Sequence, residues 1–356
     1  MYLRWGDKNI KVLSKQRKER IEWAVHNMKL VFMGASKFGL KCFKKLFDLK
    51  NINIRGVVTT AKQFSVKYEK GTKQNTINNL IYDEISQLCV SKNIPLNVVT
   101  GKMNNKILID TLKEWAPDFI LVVGWYHIIG DEILKIPHKG IAGLHASLLP
   151  LYRGGAPLVW ALINGESETG ITFFYFDNGI DTGDIIAKKK VEITVDDTIR
   201  TLYEKVEVAG IELIENYLPL IDNGTAPRIK QVIDETNKVY SQRNPDDGVI
   251  DWQLNPKDIY NFVRAQTHPY PGAFTYYNGQ RIYIWECKVF NNNYYRLARF
   301  GEIISKVDSG NQKGILVYSN DNKIQVLITC AGYGTEEFRE DALLDRFECG
   351  NSFTNY

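Results

Sequence analysis

Short apolar runs alternate with amphipathic segments in the N-terminal part of the chain. Lys29–Gly34, Ile54–Thr59 and Asp118–Gly124 have the apolar composition of buried strands. Residues 35–46 and 78–92 carry apolar side chains at helical spacing. Strands that alternate with helices in this order form a mostly parallel sheet with helices on both faces. The pattern therefore predicts an α/β fold with a Rossmann-like sheet.

The C-terminal part of the chain has a different pattern. Short runs of alternating polarity lie at residues 281–285, 301–305, 314–318 and 324–328, with turn residues between them. Such runs are typical of a small antiparallel barrel or sandwich. We therefore expect a smaller, OB-like β-rich domain after a boundary near residues 223–227. The length of 356 residues agrees with two domains, since domains commonly have about 100–200 residues.

Composition excludes several classes of protein. The longest strongly apolar run, Phe119–Trp125, is much shorter than the ~18 residues that a membrane helix needs, and the first residues form no apolar signal core. The five cysteines are scattered and form no Cys-x-x-Cys pair, so neither a disulfide framework nor a metal site is indicated. These features predict a cytoplasmic protein without a membrane partner.

The positive charge is concentrated at the N-terminus. Residues 1–28 carry seven basic and three acidic side chains, which accounts for the whole net charge of +4. We predict a short basic helix at residues 14–27. A remainder without net charge argues against a large nucleic-acid surface. Lys62, Lys67, Lys70 and Lys73 lie in one predicted loop, which is either a solvated loop or a local basic patch.

A glycine turn follows the first predicted strand. Gly34–Gly39 is neither Gly-x-Gly-x-x-Gly nor a P-loop, because Leu40 follows where a P-loop has lysine. A dinucleotide site is therefore not supported. Two interpretations remain, namely a tight strand-to-helix turn or a helix N-terminus that lines a ligand cleft.

A histidine and an aspartate follow strand-like runs further along the chain. His145 ends one such run, and Asp181 lies in the loop Asp177–Asp184 after another. A carboxylate beside an imidazole favours the protonated ring, which can donate to a developing oxyanion and carry a proton. Ser147 is an unsuitable nucleophile, because it lies two residues after His145 and has no nucleophile elbow.

Four sequence blocks resemble those of the folate-dependent formyltransferases. They are His145-Ala-Ser-Leu-Leu-Pro150, Tyr152-Arg-Gly-Gly-Ala-Pro157, Asn164-Gly-Glu-Ser-Glu-Thr-Gly170 and Gly179-Ile-Asp-Thr-Gly-Asp184. They occur in the family's order and spacing, and the resemblance covers roughly residues 28–335. It implies a catalytic domain at 28–224, a β-rich C-terminal domain at 225–356 and a basic N-terminal extension at 1–27.

The resemblance also implies an activity and a set of site residues. The co-substrate would be 10-formyltetrahydrofolate, no metal would be needed, and the acceptor would be a primary amine. His145 matches the catalytic histidine, and Asp181 matches the aspartate that raises the pKa of that histidine. The segments implied to hold the pterin, largely through backbone groups, are His127, Ile128 and Ile129, together with Asp177, Asn178, Gly179, Ile180 and Asp181.

Two blocks in the C-terminal half resemble the nucleotide-sugar branch of this family. They are Asn244–Trp252 and Ala265–Phe274. They either contact the substrate or dock the two domains. Tyr152 and Arg153 are candidate substrate contacts, although Arg153 could equally be a buried structural arginine.

The chain departs from the family pattern at two positions. Gly143 stands where the family usually has an asparagine, two residues before the catalytic histidine, and that side chain normally donates a second hydrogen bond to the oxyanion. Loss of one such donor typically costs ~10²–10³ in rate. Another donor (Asn104, Asn105, Asn178 or a water) substitutes, or the enzyme is slow, or the chemistry differs. Gly155 stands where the sugar-nucleotide relative has an arginine.

Three functional hypotheses follow. The first is formyl transfer to the amine of an amino sugar, joined to a nucleotide, by a chain that forms a homodimer. The second is formylation of methionyl-tRNA, with the lysine loop and the basic extension as contacts. The third, suggested by Gly143, is a folate- or nucleotide-binding protein with little catalysis.

Overall fold

The protein is represented by a computed structural model that describes residues 27–66, 75–291, 298–310, 312–321, 323–334 and 336–356. The predicted helix at residues 14–27 lies outside these residues apart from Asn27. Lys67, Lys70 and Lys73 of the predicted lysine loop also lie outside them.

The described chain divides into two compact units. One contains the described residues up to Leu144 together with Tyr175–Asn178 and Ile214–Pro227, and the other contains His145–Phe174, Gly179–Leu213 and Arg228–Tyr356. The predicted domain limits at residues 28 and 225 stay predictions.

Among its described residues, the first stretch of chain contains seven strands and four helices. The strands are β1 (Met28–Gly34), β2 (Ile52–Thr60), β3 (Gln63–Val66), β4 (Asn75–Asn78), β5 (Leu96–Val99), β6 (Phe119–Val123) and β7 (Ile141–His145). The helices are α1 (Lys37–Leu46), α2 (Tyr82–Ser91), α3 (Lys106–Trp115) and α4 (Asp131–Leu134).

Five of these strands form a parallel sheet. Strand β1 pairs with β2 and β6, β2 pairs with β5, and β6 pairs with β7, which gives the order β7–β6–β1–β2–β5. Every residue of β6 is buried, as expected for a strand covered on both faces. Its core neighbours include Val31, Val58 and Leu112. The predicted mostly parallel sheet with helices is confirmed.

The glycine turn between β1 and α1 has a structural explanation. The Ser36 hydroxyl accepts a hydrogen bond from the Gly39 amide at 3.0 Å and so caps α1. A Cβ atom at Gly39 would lie 2.6 Å from the Val123 carbonyl oxygen. The close approach of α1 to the end of β6 therefore requires glycine, which favours the interpretation as a tight turn.

The prediction that Lys62, Lys67, Lys70 and Lys73 lie in one loop is partly wrong. Strand β3 begins directly after Lys62 and pairs antiparallel with β4. Lys62 precedes β3, and its ammonium group lies 2.7 Å from a carboxylate oxygen of Asp83. Each strand has only four residues, and β4 has a single apolar residue, so alternation of polarity gives too weak a signal for a hairpin.

The rest of the chain contains nine strands and four helices among the described residues. The strands are β8 (Arg153–Gly154), β9 (Glu168–Tyr175), β10 (Ile185–Glu192), β11 (Val239–Tyr240), β12 (Ala273–Tyr277), β13 (Gln280–Asn291), β14 (Ile303–Ser309), β15 (Gln312–Val317) and β16 (Ile324–Gly332). The helices are α5 (Pro157–Ile163), α6 (Ile199–Asp222), α7 (Pro256–Arg264) and α8 (Glu340–Arg346), and Pro245–Gly248 is a 3₁₀ turn.

Most of the C-terminal strands form one antiparallel sheet, in the order β12–β13–β16–β15–β14. Its buried face packs with α7 and α8 around a core that includes Ile259, Ile284, Ile328 and Phe353. The predicted β-rich C-terminal region is confirmed. Elsewhere in the second unit β9 pairs antiparallel with β10, and the two-residue strands β8 and β11 pair in parallel.

Candidate active site

His145 lies at the carboxyl end of β7, and its side chain is 11% exposed. Its Nδ1 atom is 3.6 Å from Oδ2 of Asp181, and its Nε2 atom is 2.8 Å from the carbonyl oxygen of Tyr152. The ring contacts Phe174 edge-on. The structure therefore brings His145 and Asp181 together, and both ring nitrogens face oxygen atoms.

Hydrogen bonds to both the side chain and the main chain of Asp181 hold this residue in place. Its Oδ2 atom accepts a hydrogen bond from the Gly154 amide at 2.8 Å. The Gln231 side chain donates to the Asp181 carbonyl oxygen at 2.9 Å and to the Gly183 carbonyl oxygen at 2.8 Å. Asp181 has a φ of +54°, a left-handed conformation that a non-glycine residue adopts only where its surroundings hold it.

The turn Tyr152–Gly154 contacts both His145 and Asp181 through its main chain, since the Tyr152 carbonyl oxygen faces His145 and the Gly154 amide donates to Asp181. Tyr152 also has a left-handed backbone, with a φ of +56°. Its hydroxyl donates to Glu166 at 2.6 Å and accepts from Asn164 at 3.0 Å, and its ring stacks on Tyr240 with centroids 4.8 Å apart. Burial, followed by the hydrogen bond to Glu166, raises the pKa of the Tyr152 hydroxyl. The hydroxyl thus remains a proton donor at physiological pH.

Arg153 points into the protein and is 8% exposed. Its guanidinium donates to the carbonyl oxygens of Asn237 at 2.8 Å and Ile180 at 3.4 Å. This placement fits a structural arginine better than a substrate contact. A role in binding an anion stays a prediction.

His127, Ile128 and Ile129 lie in the first unit, in the loop that follows β6. Ile128 is 82% exposed, whereas Ile129 is buried. Asn104 holds this loop, because its side-chain amide donates to the Ile128 carbonyl oxygen at 3.1 Å and accepts from the Gly130 amide at 2.7 Å. Burial lowers the pKa of His127, whose ring packs edge-on against Trp125.

The second predicted folate segment follows β9. Asp177, Asn178, Gly179 and Ile180 are all exposed, and the first two belong to the first unit whereas the last two belong to the second. Exposed main chain is what a ligand recognised through backbone groups requires. The binding role of these residues stays a prediction.

Gly143 has no room for a side chain. A Cβ atom at this position would lie 2.4 Å from the Val122 carbonyl oxygen and 2.8 Å from ring carbons of Phe176. The Phe176 ring thus packs where a side chain at position 143 would begin. An asparagine at this position would require Phe176 and the neighbouring strand to move.

The candidate replacements for that asparagine differ in how they are engaged. Asn104 holds the 127–130 loop, and Asn105 caps α3 by accepting a hydrogen bond from Leu108. Asn178 is exposed at the end of β9. Asn178 is therefore the side chain of the three whose placement best leaves it available to a ligand.

Sequence reasoning missed several residues that position the predicted ones. Glu166, Gln231 and Tyr240 fix the turn at Tyr152 and the loop at Asp181, yet they lie 14, 50 and 88 residues from their partners. Glu166 belongs to a block already singled out, which was a usable signal. Gln231 and Tyr240 belong to no block.

The described part of the chain contains no candidate metal centre. Among the described residues, no group of three His, Cys, Asp or Glu side chains is placed to hold a metal ion, and no helix has the length and apolar character to cross a membrane. A cavity of about 1100 Å³ lies in the second unit between α7, β13 and residues 195–201. None of the predicted site residues lines it.

The chemistry that this geometry permits is proton transfer beside a carbonyl-like centre. An imidazole with oxygen acceptors at both nitrogens accommodates two protons. Such a ring can donate a hydrogen bond to an oxyanion or pass a proton to a leaving nitrogen.

Comparisons with known proteins agree with this chemistry. The formyl transferase family matches residues 28–218, and the C-terminal domain of formyl transferases matches residues 243–332. The methionyl-tRNA formyltransferase of Halothermothrix orenii is 34% identical over 306 residues, which cover 84% of this chain and 91% of the relative. That of Clostridioides difficile is 37% identical over 264 residues, which cover 74% of this chain and 81% of the relative.

A solved structure shows the same fold. The N-formyltransferase from Helicobacter canadensis, in complex with folinic acid and dTDP-3-aminofucose, superposes with a TM-score of 0.56 at 20% identity, over 85% of this chain and 98% of that chain. Because both family regions match in order and together span most of the chain, the protein belongs to the formyl transferase family of folate-dependent enzymes.

Proposed function

We propose that this chain transfers the formyl group of 10-formyltetrahydrofolate to the amino group of methionyl-tRNA. The supporting observation is that two relatives at 34% and 37% identity, matched over most of their length, are methionyl-tRNA formyltransferases. The sugar N-formyltransferase is similar at 20% identity, which supports the fold but not the acceptor. The findings thus favour the second sequence hypothesis over the first.

In the proposed reaction the acceptor nitrogen attacks the formyl carbon, and a tetrahedral oxyanion forms. The new N–C bond is kept, the bond from carbon to the folate nitrogen N10 breaks, and the proton lost by the amine ends on that nitrogen. His145 would donate to the oxyanion and pass the proton. Asp181, 3.6 Å from Nδ1, would balance the charge of the ring.

The pterin would be held by main-chain groups of the two segments that the resemblance implies, residues 127–129 and 177–181. The two hydrogen bonds of Asn104 involve the Ile128 carbonyl oxygen and the Gly130 amide, so neither uses the Ile128 amide. An exposed Ile128 side chain beside such groups fits one face of a flat ring.

The activity is tested by mass spectrometry with 10-formyltetrahydrofolate as donor and two acceptors supplied separately, methionyl-tRNA and a panel of nucleotide-linked amino sugars. We expect a formyl-sized mass gain on methionine released from tRNA. Binding of tRNA should weaken steeply with salt, because it releases counterions. Formylation of a sugar without formylation of the tRNA would contradict the proposed acceptor.

An amino-sugar nucleotide is the second candidate acceptor. It is favoured by the resemblance of Asn244–Trp252 and Ala265–Phe274 to the nucleotide-sugar branch, and by the absence of net charge beyond residue 28. Binding of both ligands without any product would instead support the third hypothesis, a binding protein. A cytoplasmic location and a homodimer remain part of the proposal.

A further inference from the structure

The geometry points to Tyr152 as a positioning residue for the reaction. This inference rests on the proposed function of His145 and Asp181. The Tyr152 carbonyl oxygen accepts a hydrogen bond from His145, and the Gly154 amide, two residues on, donates to Asp181. One three-residue turn therefore fixes both members of the pair.

The turn needs an anchor because its backbone is unfavourable. Left-handed backbone at a residue other than glycine is unfavourable and persists only where the surroundings impose it. Tyr152 has a φ of +56° and bears this cost, whereas Gly154, as a glycine, adopts its φ of +95° without it. The Tyr152 side chain supplies the anchor through its hydroxyl bonds to Glu166 and Asn164 and its stacking on Tyr240.

The same contacts require a proton on the Nε2 atom of His145. A carbonyl oxygen can only accept, so the Nε2 atom that lies 2.8 Å from it must be the donor. Before the reaction, the Nε2–H group of His145 therefore donates to the Tyr152 carbonyl oxygen, and an oxyanion has to compete for that hydrogen bond. Displacement of the carbonyl group would change the protonation and the orientation of the ring.

The test compares three variants of the full chain. Tyr152→Phe keeps the ring stack but loses both hydroxyl bonds. Glu166→Gln keeps an oxygen acceptor for the Tyr152 hydroxyl and serves as the conservative variant. Tyr203→Phe is the matched control, because it removes a hydroxyl that lies 3.0 Å from the Tyr270 hydroxyl, outside the turn and the His145–Asp181 pair.

For Tyr152→Phe we expect kcat to fall about tenfold or more with KM of donor and acceptor within about twofold, since small misplacement of a reacting group can cost ~10² in rate. Glu166→Gln should stay close to the parent protein. Tyr203→Phe should lower Tm by a comparable amount without changing kcat. Unchanged kcat in Tyr152→Phe would overturn the inference.

A second measurement does not depend on turnover. In ¹⁵N-labelled protein the His145 ring, one of five histidines, is assigned by its loss in His145→Ala. We expect a slowly exchanging Nε2 proton in the parent protein and in Glu166→Gln, and its loss in Tyr152→Phe. An unchanged signal in Tyr152→Phe would overturn the inference. If the signal is lost in Tyr152→Phe but the parent protein formylates none of the tested amines, the inference about the turn holds and the proposed function is rejected.

Discussion

The loop His127–Gly130 and the turn Tyr152–Gly154 both present main-chain groups, yet they are held in different ways. One side chain, Asn104, makes two hydrogen bonds to the loop, and the Ile128 side chain beside them is exposed. The turn is held by a stacked ring, a bonded hydroxyl, the Arg153 guanidinium and pairing of β8 with β11.

This difference suggests a division of labour. The loop is also anchored by the buried Ile129 side chain and by packing of the His127 ring, but its Ile128 side chain projects from the surface. An exposed segment of this kind can adapt to a ligand at small cost, which suits binding. A segment held at many points keeps reacting groups in fixed geometry, which suits chemistry. Substitutions in the turn and its partners should therefore lower kcat, whereas substitutions around the loop should weaken folate binding.

The largest effect is expected for His145→Ala. Removal of the imidazole should lower kcat by about 10³-fold or more, because general acid–base catalysis and oxyanion stabilisation are both lost. Folate affinity, measured by fluorescence titration, should change less than about twofold. His138→Ala is the control, because His138 is an exposed histidine. Near-normal turnover in His145→Ala would contradict the assignment of catalysis to the turn and its partners.

A smaller loss is expected for Asp181→Asn. The amide oxygen can still accept from Gly154, so the turn keeps its geometry while the negative charge beside His145 disappears. We expect kcat to fall about 10²-fold with unchanged KM, measured by steady-state kinetics. Asp196→Asn, at an exposed position of the same unit, should behave like the parent protein. Equal effects of the two substitutions would argue against a specific role for Asp181.

Asn104→Ala tests the other half of the comparison. It removes both hydrogen bonds to the 127–130 loop, so we expect KM and Kd for the folate to rise about tenfold while kcat stays within about twofold. Asn105→Ala removes the α3 cap instead, which costs about 1 kcal/mol of stability but should leave folate affinity unchanged. A fall in kcat with normal affinity would contradict the division.

The sequence predicts the sheet, the β-rich C-terminal region and the closeness of His145 to Asp181, because periodicity and local motifs carry that information. It does not predict the hairpin of β3 and β4, because each strand has only four residues and β4 has a single apolar one. It also leaves the surroundings of the pair open. Tyr240 and Gln231 reach the site through contacts distant in sequence, which no local pattern encodes.

Gly143 shows the same limit at one position. In the sequence alone, Gly143 indicates only that the asparagine that usually donates a hydrogen bond to the oxyanion is absent. In the structure it lies against the Val122 carbonyl oxygen and the Phe176 ring, so position 143 and position 176 have to be interpreted as a pair. Packing between residues 33 positions apart explains why a simple return to asparagine is unfavourable.

The smallest effect is a pH dependence of the 127–130 loop through His127. Burial lowers the pKa of His127 in the folded chain, so below the ordinary value of ~6.5 the unfolded chain binds more protons than the folded one. The His127 contribution to stability therefore declines as the pH falls through this range. In His127→Phe, which keeps a ring beside Trp125, protection of the loop from hydrogen exchange should be less sensitive to a shift from pH 7.5 to 5.5. His138→Phe, at an exposed position, should keep the sensitivity of the parent protein. The same pH response in all three proteins would show that the loop does not depend on a neutral His127.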